Sequence, residues 1–257
     1  MKFQWAAGVL AAVLLTFSLY IAFVVGKSDL IGTVSVSRDN QPPSGSSSAP
    51  DVQAHKNMEK KTLPDDEYLE ASCFIGDSIC LGLSGYGFLP EEQVLAHVDM
   101  GARSIYDFTF PNAKGEGTID QAVKDLQPEY LYIWLGMNDF RLTTQLEYIE
   151  NMMTLIQNLR KVSPDSKITV LSISPILASH PWKANDQIDS YNAAMRQAVE
   201  QSGIADLYYL DISTALKDED GALMDDNPPY DAGDGLHLSK RAYPIVLERI
   251  LDAKMPI

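Results

Sequence analysis

A chain of 257 residues with 46% apolar side chains can bury a sizeable core. Its formal net charge of −15 argues against nucleic acid as a partner. It argues more mildly against anionic substrates, because local charge can differ from the net value.

Residues 5–25 run without a charge, long enough as a helix to span a bilayer, with Lys2 before and Lys27 after. A cleaved secretory signal has a shorter apolar core and a small-residue cleavage site, and Val24-Val25-Gly26 fits such a site poorly. Residues 1–26 are therefore expected to be an uncleaved transmembrane signal-anchor, with secretion after cleavage as the alternative. The flanking charges nearly balance and orient the segment only weakly; the very short basic N-terminus is expected to stay inside, with the rest of the chain outside the cell membrane.

Residues 27–66 are rich in Ser, Pro, Asp and Lys and read as a disordered tether. Charges up to Asp66 balance at six basic and six acidic, so the full −15 falls on a single domain over residues 67–257.

That domain alternates strand-like and helix-like segments. Strands are expected over 71–75, 94–98, 130–135, 167–173 and 207–210. Helices are expected over 79–88, 118–126, from Thr144 to before Pro164, over 187–201, and after a Ser239 cap. Thr118-Ile119-Asp120-Gln121 and Thr144-Gln145-Leu146-Glu147 have the spacing of capping boxes. The continuous apolar run over 130–135 suits a strand covered on both faces. Five strands separated by helices predict a parallel sheet in an α/β three-layer α/β/α sandwich, of flavodoxin-like kind. Cys73 falls on a strand and Cys80 on the helix after it, so two free, buried thiols are expected.

Loops that follow parallel strands open at one sheet edge, where such folds bind ligands. Gly76-Asp77-Ser78 follows the first strand, Gly101 the second, and Gly136-Met137-Asn138-Asp139 the third. Near the C-terminus stands Asp234-Gly235-Leu236-His237. An aspartate three residues before a histidine can hold its Nδ1–H, leaving Nε2 to take a proton from a serine. Read singly, each motif has a plainer meaning: Asp77 and Ser78 as helix caps, Asn138-Asp139 as a turn, His237 as a helix-start residue.

Together, in this order, the four motifs resemble those of the SGNH hydrolases, also called GDSL esterases and lipases. The resemblance implies Ser78 as nucleophile, His237 as base and Asp234 as the residue that orients it. It also implies an oxyanion hole of Ser78 N–H, Gly101 N–H and the Asn138 amide, with no cofactor or metal. Asp139 is expected to brace its loop. His97 is expected in the core, His55 in the tether, and His180 and Trp182 either lining the site or packing beside it. The seven carboxylates between residues 217 and 234 are expected to form a solvated loop. The function implied is an extracytoplasmic serine esterase acting on short acyl esters, O-acetyl foremost, of cell-surface glycans. An acyltransferase with the same triad and a glycan-binding module without catalysis are the alternatives, and the oligomeric state stays open.

Overall fold

The computed structural model of the chain describes residues 64–255. The transmembrane segment expected over residues 5–25, the tether up to residue 63 and His55 lie outside them. Among the described residues, no helix is long and apolar enough to cross a membrane.

The elements are α1 (Asp65–Glu70), β1 (Ser72–Gly76), α2 (Ser78–Gly85), β2 (Val94–Ala96), β3 (Phe110–Asn112), β4 (Gly115–Gly117), α3 (Ile119–Leu126), β5 (Tyr130–Trp134), α4 (Gln145–Val162), β6 (Lys167–Leu171), α5 (Asn185–Gln201), β7 (Leu207–Leu210) and α6 (Ala242–Asp252). Five strands form a parallel sheet in the order β2-β1-β5-β6-β7. Every residue of β1 and of β5 is buried, as a sheet covered on both faces requires.

From β1 the chain moves outward to β2; from β5 it moves the other way, to β6 and β7. Right-handed crossovers then send helices to opposite faces and leave a crevice between the ends of β1 and β5. Helix α6 packs with α2 on one side: the Tyr243 hydroxyl donates to the Ile79 carbonyl at 2.7 Å. On the other side α4 packs against both α3 and α5.

Both expected capping boxes are present. Thr144 N–H donates to Glu147 Oε2 at 2.7 Å, and Thr118 N–H to Gln121 Oε1 at 3.2 Å. Four details differ from the sequence reading. Helix α1 starts at Asp65, inside the expected tether, because Tyr68 is fully buried and anchors that turn. Strand β6 ends at Leu171, since Ile173 pairs with the Asn192 side chain, its N–H donating at 2.8 Å and its carbonyl accepting at 3.0 Å. Ser239 does not cap the last helix. Its hydroxyl turns back to the Pro229 carbonyl at 2.8 Å, and α6 begins at Ala242. The β3–β4 hairpin was not expected, as its Pro111, Gly115 and Gly117 are poor strand formers.

Cys73 and Cys80 are free and buried. Burial pushes the Cys73 thiol up to about 12 and the Cys80 thiol well above its ordinary value, so both are inert at neutral pH.

Candidate active site

Gly76 lets strand β1 turn directly into helix α2. A Cβ there would lie 2.2 Å from Cys80 Cβ and 2.6 Å from the Trp134 carbonyl oxygen, so only glycine permits the helix to sit this close to the sheet. Asp77 then caps α2, its Oδ1 accepting the Ile79 N–H at 2.9 Å. Ser78 becomes the first helical residue, and its N–H has no carbonyl one turn back to bond.

Ser78 Oγ lies 2.9 Å from His237 Nε2, although 159 residues separate the two. The other ring nitrogen, Nδ1, lies 2.6 Å from Asp234 Oδ2. The second oxygen, Oδ1, accepts the His237 N–H at 2.8 Å and the Leu236 N–H at 2.9 Å. Partial burial works to raise the Asp234 pKa, but those two N–H groups, the ring bond and the imidazole charge outweigh it and lower it to about 2. Asp234 is therefore a carboxylate at any working pH. The arrangement can draw a proton from a serine hydroxyl onto a fixed imidazole.

The second and third loops meet through Asp139. It is fully buried and takes the Ala102 N–H on Oδ2 at 2.9 Å and the Arg103 N–H on Oδ1 at 3.1 Å. Burial raises its pKa, against the pull of those two N–H groups and the Arg103 charge. Gly101 sits against this carboxylate; a Cβ there would come within 2.7 Å of Oδ1. Asp139 thus braces one loop on the other and does not touch His237.

Asn138 sends one amide N–H to the Met100 carbonyl at 3.0 Å, and its second N–H has no acceptor among the described residues. Gly101 N–H makes a long bond to Ser104 Oγ, 3.3 Å, which a stronger acceptor could displace. With the open Ser78 N–H, these N–H groups keep capacity to donate to a further acceptor, as an oxyanion would require. Replacing Asn138 by alanine is expected to lower kcat on an acetyl ester by roughly 10²–10³-fold with an unchanged circular dichroism spectrum. A loss under about fivefold would remove Asn138 from the hole.

His97 is apart from this site. It is partly buried just beyond β2, stacked on Phe108 and bonded through Nε2 to the Thr109 carbonyl at 2.9 Å. His180 and Trp182 do border it: the His180 ring would touch a Cβ placed on Gly235, at 3.1 Å, next to Asp234. Trp182 meets Phe140 edge-on at 5.8 Å, two residues beyond Asn138.

The residue sequence reasoning undervalued is Asp77. It is buried and close to Asp139, and desolvation, aided by the Asp139 charge, pushes it up to about 7 against the Ile79 and Cys80 N–H groups and the His237 charge. An unfolded aspartate titrates near 3.9, so between about pH 4 and 7 the folded chain holds a proton that the unfolded chain has lost. Asp77 is then stabilising at low pH, and that contribution drains away as pH rises through about 7. Urea unfolding of wild type and Asp77→Asn at pH 5 and pH 8 should show the variant gaining, relative to wild type, on the order of 1 kcal/mol or more at the higher pH. A constant difference would contradict the buried, protonated carboxyl.

Comparison with known proteins adds a family to this geometry. Among curated proteins, none matches the sequence. Solved structures sharing the fold include a GDSL-like lipase from Bacteroides thetaiotaomicron, 19% identical, TM-score 0.52, covering 71% of this chain and 86% of that one. A carbohydrate esterase of family 3 from Talaromyces cellulolyticus is 18% identical, TM-score 0.52, covering 71% and 94%. A mutant acetyl esterase bound to an acetate ion is 19% identical, TM-score 0.52, with the same two coverages, 71% and 94%. At such identities these structures speak for the fold alone. The match that decides the matter is to the GDSL-like Lipase/Acylhydrolase family, and it runs over residues 74–245, from within β1 into α6, across all the loops described above. The chain belongs to that family and is a serine esterase of the GDSL type.

Proposed function

We propose that the chain is a membrane-anchored, extracytoplasmic esterase that removes short acyl groups, O-acetyl foremost, from cell-surface glycans. The observation that carries the reading is the continuous contact Ser78 Oγ–His237 Nε2 and His237 Nδ1–Asp234 Oδ2, at 2.9 and 2.6 Å. His237 Nε2 takes the Ser78 proton as Oγ attacks the ester carbonyl carbon. The carbonyl oxygen becomes an oxyanion facing the Ser78 N–H, the Gly101 N–H and the Asn138 amide. Collapse of this intermediate breaks the bond to the alcohol oxygen, which leaves with the proton from His237, and the acyl group stays on Ser78. Water then repeats the sequence, activated by His237, and releases the acid. The acetyl preference is supported by the acetyl and carbohydrate esterases that share the fold. The anchored, outward location is supported by the uncharged run over residues 5–25.

Treating the full-length chain with a fluorophosphonate tests the reading, together with turnover of aryl esters of graded acyl length. The expected result is a single adduct on Ser78, with kcat/KM highest for acetate and falling as the acyl chain grows. Absence of both adduct and turnover would sink the esterase reading; a preference for long chains would sink the acetyl one.

A further inference from the structure

We propose that Arg141, held against Trp182, binds an anionic group of the substrate, a carboxylate or phosphate borne outside the reacting ester. The Arg141 guanidinium carbon lies 4.5 Å from the Trp182 ring centre, a cation–π contact. Both residues are exposed, and Trp182 is wedged between the two halves of the site: Phe140 on the Asn138 side, and His180, packed on Gly235, on the His237 side. Phe140 is fully buried and its carbonyl accepts from Gln187 Nε2 at 3.0 Å, so the turn carrying Arg141 is fixed.

The guanidinium itself is unspent. Among the described residues, Arg141 forms no ion pair, and its N–H groups donate to no protein acceptor. Arg160 shows the contrast: its two terminal nitrogens reach four backbone carbonyls, from Pro164, Ser166, Ala205 and Asp206. That arginine serves the fold, whereas Arg141 presents a flat fork of donors to solvent at the rim of a catalytic crevice. Such a fork matches planar or tetrahedral oxyanions. In a chain of net charge −15, a polyanionic substrate is repelled at large, so a fixed cation at the site is the feature that would admit one. The inference rests on the esterase reading only in taking this crevice as the place where substrate binds.

Binding therefore provides the test, independently of turnover. Full-length chain is titrated with a galacturonate trisaccharide, with its fully methyl-esterified form, and with glucose 6-phosphate, at low and high salt. The carboxylated sugar should bind roughly tenfold or more tighter than its methyl ester, a difference lost in Arg141→Gln and reduced in Arg141→Lys and Trp182→Ala. Salt should weaken the preference. Tight binding of the sugar phosphate would name phosphate as the natural group; tight binding of the uronate alone would name carboxylate. Equal affinity for charged and neutral sugars, or a preference unchanged in Arg141→Gln, overturns the inference while acetyl-ester turnover keeps the esterase reading. Arg141-dependent binding without turnover of any ester would do the reverse.

Discussion

Ser78→Ala is expected to lower kcat on an aryl acetate by about 10⁶-fold, leaving a residual rate above that of water alone. The reason lies in how the crevice is divided. Removing Oγ deletes the atom that attacks the carbonyl, but the Ser78 N–H, the Asn138 amide and the Gly101 N–H remain to polarise it. His237→Ala should cost a similar factor, because among the described residues the imidazole 2.9 Å from Oγ is the group bonded to it and placed to receive the proton. The double variant should be no slower than either single one, since the two side chains perform one step. Additive losses, multiplying to far more than either alone, would mean that Ser78 and His237 act in separate steps.

Asp234→Asn should reduce kcat by up to about 10⁴-fold. The geometry makes the direction of the damage definite. Oδ1 is held by two backbone N–H groups, from Leu236 and His237, so the amide oxygen of an asparagine must take that place. Its NH₂ then occupies the position of Oδ2, 2.6 Å from Nδ1, and can only donate. Nδ1 becomes the acceptor, the ring proton moves to Nε2, and the Ser78 hydroxyl loses its base. Asp139→Asn should do less to kcat and more to stability, because its amide would face the Ala102 or Arg103 N–H with no acceptor to offer. If Asp139→Asn silenced the enzyme and Asp234→Asn did not, the orienting acid would be Asp139.

Two pieces of the site were legible in sequence because they are local, and the meeting of Ser78 with His237 across 159 residues was expected only from the resemblance carried by the four motifs. Asp234 and His237 are three residues apart, and the Asp side chain reaches its neighbour's ring within one turn. Gly76-Asp77-Ser78 writes a strand end, a cap and a helix start in successive residues. What could not be read is contact across the chain. Asn138 spends an N–H on Met100, 38 residues away, and no spacing rule announces it. Asp77 reads as an ordinary helix cap; its neutral, buried state follows from desolvation and from the Asp139 carboxylate on another loop. Ser239 misled for the opposite reason: a local capping preference lost to a tertiary bond with Pro229. Helix α1 was missed because four of its six residues are exposed carboxylates, and only the burial of Tyr68 against the sheet makes it form.

The Tyr243 hydroxyl reaches over Gly82 to the Ile79 carbonyl, so the helix that begins with Ser78 is held down by the last helix of the chain. During synthesis, the segment bearing Ser78 therefore emerges long before the two groups that complete it, His237 and Tyr243. A nascent chain stalled short of residue 237 carries Ser78 without its imidazole partner and a helix with no clasp, and both contacts form only once residues 237–243 are made. That order keeps the Ser78 hydroxyl apart from its imidazole partner until the later segment is made. It also makes esterase turnover a direct gauge of whether the two ends of the domain have found each other.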